Sequence, residues 1–393
     1  MGAGPSGAEL ARLLAQAGVD VVLVDRLSDL RRAAFSSAAV PLATLDRFGL
    51  PQQVVAARWS GWSLVGPQQQ RRDWQGATPL GAVLDFGALR LWLADQAQSW
   101  GASLQLGWQA LGCSSFGSGP TAGMATTLRG PGGLTRTIHS CFVVDASGES
   151  RALLGDPQGS EVPLVTGVGV EWLLQVPEPL DGAWRQRLSF FLGTHWLPQG
   201  YGWIFPMVPG QLKVGVCRLI DAKRSQPPLV GSLNRLITAT GLSEAAVIDR
   251  HGGRIRSTIS RRELHHRGRL IGLGDVVSTA NLLGGEGIRH ALTSARVLEP
   301  LVLEALAQPS HAERILQAYP RQLRMALGRR WSLSGRLARR TWLGLVDGRA
   351  DRRLDRLLTG LQTKRAEDLS ALFFDYRFER YGFKALPYLL GWR

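Results

Sequence analysis

Apolar and polar positions repeat with different periods along this chain, and each change of period marks an element. Between Ala8 and Ala17, Leu10, Leu13 and Leu14 fall on one helical face, and Ala17-Gly18 supplies a stop. The next stretch, "VDVVLVDR", is a near-continuous apolar run closed by Asp25, which predicts a parallel strand covered on both faces. "GWSLVGPQQQRRDWQ" predicts a hairpin turning at Gly66-Pro67, and "DFGALRLWLADQAQSWG" a helix that stops at Gly101. "SLQLG", "GMATTLRG" and "RTIHSCFVVDASG" read as strands, the last two joined by a turn at Gly130-Pro131-Gly132-Gly133. From Val162 to Val216 strand-like runs alternate with Pro/Gly turns. "LIGLGDV" is a further buried strand ending in an acid, and "GEGIRHALTSARVLEPLVLEAL" is a long helix with a glycine-rich start. Beyond about Pro309 the pattern is helical, with Leu354, Leu357, Leu358 and Leu361 on one face. The chain contains no internal repeat and no low-complexity linker.

Composition adds domain count and charge. The 393 residues, 45% hydrophobic and 20% charged, suit a globular protein of two or three domains. Cys113, Cys141 and Cys217 have unrelated spacings, which excludes a metal pattern and predicts reduced thiols in a cytoplasmic protein. The net charge is +15, and from His311 onward 18 Lys and Arg stand against 8 Asp and Glu. Such a basic end is either a solvated helical face or a surface attracted to anions, membrane headgroups or phosphorylated substrates among them. With no recognisable nucleic-acid motif, no nucleic-acid partner is expected. No secretory signal is visible, and the uncharged stretch Leu188 to Leu212 is interrupted by His195, Pro198, Gln199, Pro206 and Pro209, so it predicts no membrane span. The opening letters "MGAGPS" also fit a myristoylation pattern, but their glycines belong to the motif described next.

Three constellations carry chemistry. Gly2, Gly4 and Gly7 have the spacing G-x-G-x-x-G, and Asp25 with Arg26 follows at the end of the next strand. Glycines let backbone N–H groups approach a pyrophosphate at a helix N-terminus, and an acid at that strand end hydrogen-bonds ribose hydroxyls. This predicts a dinucleotide site. The second piece is "VVDASGESR", a strand running into Asp145 and a tight turn at Ser147-Gly148. The third is Gly274-Asp275 at a strand end, followed by Gly285-Glu286-Gly287 and Ile288 at the start of a helix, where free N–H groups stabilise negative charge. The first turn lacks the strand that usually delivers it. The expectation is a turn without an anchored strand flank, and a translation start upstream of Met1.

The order of these pieces resembles FAD-binding flavoproteins of the hydroxybenzoate-hydroxylase type. In that group the first glycine turn binds the ADP half, and the late Gly-Asp contacts the ribityl chain and pyrophosphate. Two further stretches resemble the geranylgeranyl reductase family. "GYGWIFPMVPGQLKVGV" matches its Y-x-W-x-F-P strand with Tyr201, Trp203, Phe205 and Pro206, and "GDVVSTANLLGGEGI" matches its G-D-A-A-G-x-x-x-P-x-x-G-E-G-I. The resemblance implies an α/β chain with a Rossmann-like FAD domain and a parallel sheet, an antiparallel-sheet substrate domain and a helical C-terminal region. The expected segments are 1–57, 84–155 and 257–308 for FAD, 58–83 and 156–256 for substrate, and 309–393 for the basic helices. It implies FAD, NADPH as electron donor, and hydride transfer to a C=C bond of an isoprenoid lying along the aromatic strand. No residue stands out as proton donor.

The chain departs from the family pattern at Leu282, where a Pro is usual, at Asp145-Ala146-Ser147-Gly148 in place of a D-G pair, and at Phe86, where monooxygenase relatives carry Arg. A class A monooxygenase fits the glycine modules equally well but the aromatic strand less well, and a non-catalytic flavin or isoprenoid binder is a third reading. A flavin-dependent halogenase needs a Lys in its N-terminal half, and the first Lys here is Lys213. The tail "FKALPYLLGWR" is expected to assist peripheral binding to an anionic membrane.

Overall fold

In the computed structural model of this chain, residues 1–32, 35–118, 121–157, 164–259 and 263–381 are described. The first helix, Pro5–Gln16, starts three residues before Ala8, because extended Gly4 serves as N-cap and Pro5 supplies a preset first position. The strand after it, Val22–Asp25, pairs in parallel with Ser103–Leu106. A second parallel pair joins Val143–Asp145 to Leu270–Gly272. Among the described residues no strand leads into the glycine turn. Its flank is fixed by Met1 and Gly2, which lie between the two pairs. Gly2 N donates to Val24 O at 2.7 Å, the Met1 ammonium to Val144 O at 2.9 Å, and Ala146 N to Met1 O at 2.8 Å.

The first helix is the centre of this half. Its small face, Ala8, Ala11 and Ala15, packs on Leu89, Leu93 and Ala97 of helix Phe86–Ser99 and on Leu292 of helix Ile288–Ala307. Leu10 and Leu14 on the opposite side meet Val143, Ile271, Leu273 and Leu298. A small sheet of Ala39–Pro41, Gly81–Leu84 and Val55–Trp59 adjoins it, so the expected segment boundaries at 57/58 and 83/84 fall inside paired strands. Gln109–Phe116, Gly123–Arg129 and Thr135–Ser140 form a separate antiparallel sheet.

A seven-stranded sheet makes the other half, in the order Ala246–Thr258, Leu164–Gln175, Gln211–Leu219, Gly200–Pro206, Arg187–Leu192, Gly61–Val65, Arg71–Gln75. Its joints are antiparallel except one, where Arg187–Leu192 runs parallel to Gly61–Val65. The period of two divides the strand residues between faces. Ile204, Val214 and Val216 pack under helix Leu229–Ala239 through Leu233 and Leu236. Tyr201, Trp203 and Phe205 face the C-terminal helices through Trp342, Leu358 and Leu361. Those helices are Tyr319–Leu343, broken at Gly328 (φ +79°), Gly348–Leu361 and Ala366–Phe373. Among the described residues no helix is long and apolar enough to cross a membrane.

Candidate functional site

Two of the three motif glycines are dictated by close packing within the chain, and the third is not. A Cβ on Gly2 (φ +106°) would lie 2.4 Å from Ala146 O, and one on Gly7 would lie 2.0 Å from Gly2 O. A Cβ on Gly4 meets nothing within 4 Å. The first turn of the helix carries no acid and no side-chain cap, so its N–H groups are available to an incoming anion. Asp25 is buried beside this turn. Its Oδ2 accepts from Ala3 N at 2.7 Å and its Oδ1 from Leu27 N at 2.8 Å. Arg26 is exposed beyond it. Arg90, buried on helix Phe86–Ser99, reaches to 3.9 Å from Asp25 Oδ2 and donates to Arg32 O. No spacing in the sequence distinguishes Arg90 from the other arginines.

Gly274 brings the second acid to the same place. At φ +65° its Cβ would sit 2.4 Å from Ser6 Oγ, so the Gly274-Asp275 turn lies directly against the first helix. Asp25 and Asp275 therefore flank one helix N-terminus. Asp275 Oδ1 accepts from Thr279 Oγ1 at 2.9 Å. Burial pushes its carboxyl above the usual range, against the pull of Thr279 and Arg151. Arg151, buried at φ +48°, clamps this turn by donating to Val276 O and to Ser278 Oγ.

Asp145 and Gly148 do not reach the cavity wall. The Asp145 carboxylate accepts from Ser147 N, Ser147 Oγ, Leu153 N and Leu154 N at 2.6–3.0 Å. Those four bonds fold the loop that delivers Arg151. Asp145 thus has a scaffolding role in this loop, and like Gly2, Gly4, Gly7 and Asp25 neither it nor Gly148 borders the two cavities described next. The carboxylate is fully engaged by its own loop, a pattern that "VVDASGESR" does not reveal.

Two adjoining cavities of about 240 Å³ each begin at the glycine-rich turn. The first is bordered by Pro5, Phe86, Asp275, Gly287, Trp203 and Cys217. The second is bordered by aliphatic and aromatic side chains such as Leu64, Leu354, Leu357, Leu358 and Phe373. Tyr201, Phe205, Phe190, Gly285, Ile288 and Trp342 border both. Tyr201 lies between Trp342 and Phe190, with ring centroids at 5.0 and 5.7 Å. Its hydroxyl is 3.3 Å from the place a Cβ on Gly285 would take. Cys217 is its cross-strand neighbour in register, and burial pushes the Cys217 thiol up to about 12. Pro206 ends the strand and borders neither cavity.

Trp203 is fixed from behind. A Cβ on Gly215 would lie 2.2 Å from its ring, and its Nε1 donates to Glu171 Oε2 at 2.8 Å. The buried Glu171 also meets His251 Nε2 at 3.2 Å, and His251 meets Asp249 at 2.9 Å. Burial lowers the His251 pKa, but Glu171 and Asp249 outweigh it and hold it above the ordinary value. Lys213, buried nearby, donates to Ser36 O at 2.7 Å and fixes a loop that borders both cavities.

Glu286 turns its carboxylate to the C-terminal helices. It pairs with Arg289, accepts from Tyr376 Oη at 2.7 Å, and lies 3.5 Å from His290 Nε2. Arg289 also donates to Phe374 O and lies 3.6 Å from Asp375. Burial raises the Glu286 carboxyl, but Arg289 and His290 overcome this and bring it to about 2. The carboxylate latches the segment around Tyr376, while Glu286 borders the second cavity and the flanking Gly285, Gly287 and Ile288 border both. Phe378 and Tyr381 also border the second cavity; the tail "FKALPYLLGWR" lies outside the described residues.

Glycine turn, paired acids and apolar cavity together define an FAD-dependent oxidoreductase. Residues 1–155 match the FAD binding domain family. Within that class the chain resembles the geranylgeranyl reductases. It is 24% identical over 336 residues to a digeranylgeranylglycerophospholipid reductase of Methanocella arvoryzae, covering 84% of this chain and 83% of the relative. It is 25% identical to a menaquinone reductase of Mycolicibacterium smegmatis, covering 86% and 82%. The fold matches the crystal structure of a geranylgeranyl bacteriochlorophyll reductase-like protein from Thermoplasma acidophilum with a TM-score of 0.84 at 18% identity, covering 99% and 96%.

Proposed function

We propose that this chain saturates C=C bonds of an isoprenoid chain, with NADPH as the electron donor. The observation that supports this most is the apolar cavity that opens from Gly285–Ile288, between the aromatic strand and the leucine face of helix Gly348–Leu361. When bound, FAD accepts two electrons from the donor and supplies them as hydride. In this reading Gly2, Gly4, Gly7 and Asp25 hold the ADP half and Asp275 holds the ribityl side. Tyr201, Trp203 and Phe205 form the wall along which the isoprenoid lies. The relatives' names, a digeranylgeranyl phospholipid and menaquinone among their substrates, agree with a long lipophilic chain.

The helices Tyr319–Leu343 and Gly348–Leu361 present exposed arginines such as Arg336, Arg339 and Arg353. We assign this face to peripheral contact with an anionic, cytoplasmic membrane surface, which would supply the substrate. Binding to vesicles containing an anionic lipid should weaken as salt rises, because surface attraction is screened within about 10 Å at 0.1 M. Binding indifferent to salt would remove this part of the reading. The reaction is tested by reducing the FAD-loaded protein anaerobically and exposing it separately to geranylgeraniol and to O₂. Reoxidation by the isoprenoid is expected. Reoxidation by O₂ alone, stimulated by an aromatic substrate, would make it a monooxygenase.

A further inference from the structure

We propose that Tyr201 donates the proton of this reduction, with the Cys217 thiol as its partner. The assignment rests on the function proposed above. Adding hydrogen across a C=C bond needs two parts. A hydride from the reduced flavin forms a C–H bond at one alkene carbon while the π bond breaks. The π electron pair then takes a proton at the other carbon. Both electrons come from the hydride. The phenol O–H breaks to leave a phenolate, which regains its proton from water once the product has left.

Geometry selects Tyr201 from the groups at the site. It borders both cavities, so it faces the place where the cofactor end meets the apolar end. Its ring is held between Phe190 and Trp342, which fixes where the hydroxyl points. That hydroxyl lies against the Gly285 turn. The other candidates fail on position or chemistry; Tyr381, the other phenol, borders the second cavity alone and donates its hydroxyl to Leu357 O at 3.0 Å. Asp275 borders the first cavity alone, beside Gly287. Arg218 and Arg254 also border it, but a guanidinium does not release its proton in this pH range. The Trp203 N–H is committed to Glu171. Ser36 and Ser37 border both cavities but carry aliphatic hydroxyls, far weaker acids than a phenol, and Ser36 Oγ is engaged by Ala38 N.

Cys217 gives the phenolate a partner. Tyr201 and Cys217 stand opposite each other in register on neighbouring strands, both on the cavity face. While the thiol is neutral, its S–H can turn toward the oxygen left charged by proton transfer, a role open to it only as long as it is not itself a thiolate. Burial keeps both groups protonated at neutral pH, so a proton is in place at every turnover.

The test compares the full FAD-loaded chain with Tyr201→Phe, Cys217→Ala and Cys217→Ser. Each is reduced anaerobically and mixed with geranylgeraniol in H₂O and in D₂O, and reoxidation of the flavin is followed by absorbance. Loss of a positioned acid is expected to slow Tyr201→Phe by about 100-fold or more. The solvent isotope effect seen with the unaltered protein should change with it. Cys217→Ala should slow the same step to a smaller extent, and Cys217→Ser, which keeps a donor, should recover part of the loss. FAD content, and geranylgeraniol binding to the oxidised FAD-loaded chain read by equilibrium dialysis, should fall far less than the rate in Tyr201→Phe, which keeps the ring that lines the wall. A Tyr201→Phe rate and isotope effect equal to those of the unaltered protein would overturn the assignment. So would a slower rate fully matched by lost geranylgeraniol binding, which leaves Tyr201 its place in the wall and no part in proton transfer. If the unaltered reduced protein reacts with no isoprenoid, the proposed function itself falls, and the assignment with it.

Discussion

Acid should release the latch at Glu286 before it unfolds the rest of the chain. The Glu286 carboxyl is brought from an ordinary 4.5 to about 2, chiefly by Arg289 and His290 acting against desolvation. A folded-state pKa below the unfolded one stabilises the charged form. The contribution is therefore complete above about pH 5.5 and is lost as pH falls through 4.5 towards 2. The full shift corresponds to about 3 kcal/mol, of which about 2 kcal/mol disappears between pH 5 and pH 3. The raised pKa of Arg289 expresses the same attraction and is not added to it. Glu286→Gln keeps an acceptor for Tyr376 but removes the charge. It leaves Arg289 with Asp375 at 3.6 Å and the Phe374 carbonyl as partners. At pH 7 the variant should be less stable by about 3 kcal/mol, the low end for breaking a buried pair. The assay is urea unfolding of both proteins at pH 7, 5 and 3, with hydrogen exchange of residues 366–381 as the local readout. The gap between the two proteins should shrink by about 2 kcal/mol from pH 5 to pH 3. Parallel loss of stability in both proteins over that interval would refute the reasoning, since the latch would then not be the group that titrates.

Three further outcomes are expected. Gly7→Val places a side chain 2.0 Å from the Gly2 carbonyl, a backbone atom that cannot yield without moving the turn, so FAD retention measured by absorbance should be lost; stoichiometric flavin in this variant would contradict the placement of the cradle. Leu358→Trp fills part of the second cavity, and loss of room for two methylenes, at about 0.8 kcal/mol each, should weaken geranylgeraniol roughly tenfold while geraniol and FAD are unaffected; equal weakening of both alcohols would place the chain elsewhere. The raised pKa of His251 means that its pairing with Glu171 and Asp249 stabilises the fold fully below pH 6.5 and is lost as pH rises past that value. In Glu171→Gln this decline, followed by thermal unfolding between pH 6 and 8, should flatten; an unchanged slope would assign it to another group.

The sequence alone determined the pieces whose signal is local. The glycine spacing with Asp25, the acid at Gly274-Asp275 and the glycine-rich start of helix Ile288–Ala307 are short-range patterns, since each states what a backbone must do within a few residues. The alternation of Tyr201, Trp203 and Phe205 likewise fixed which residues share a face, because side chains in a strand repeat with period two. The leucine spacing at Leu354, Leu358 and Leu361 fixed the buried face of a helix but not its partner. Only the tertiary structure decided what these faces meet. It set the leucine face opposite the aromatic strand to enclose the second cavity, and it placed Cys217 beside Tyr201 across a register that no single strand encodes. It also decided which protein groups two of the predicted acids meet. Asp145 is consumed by four donors of its own loop, and Glu286 by Arg289 and by Tyr376, 90 residues away in the chain. A carboxylate's role follows from the donors that surround it, and those donors arrive from distant segments once the chain has packed.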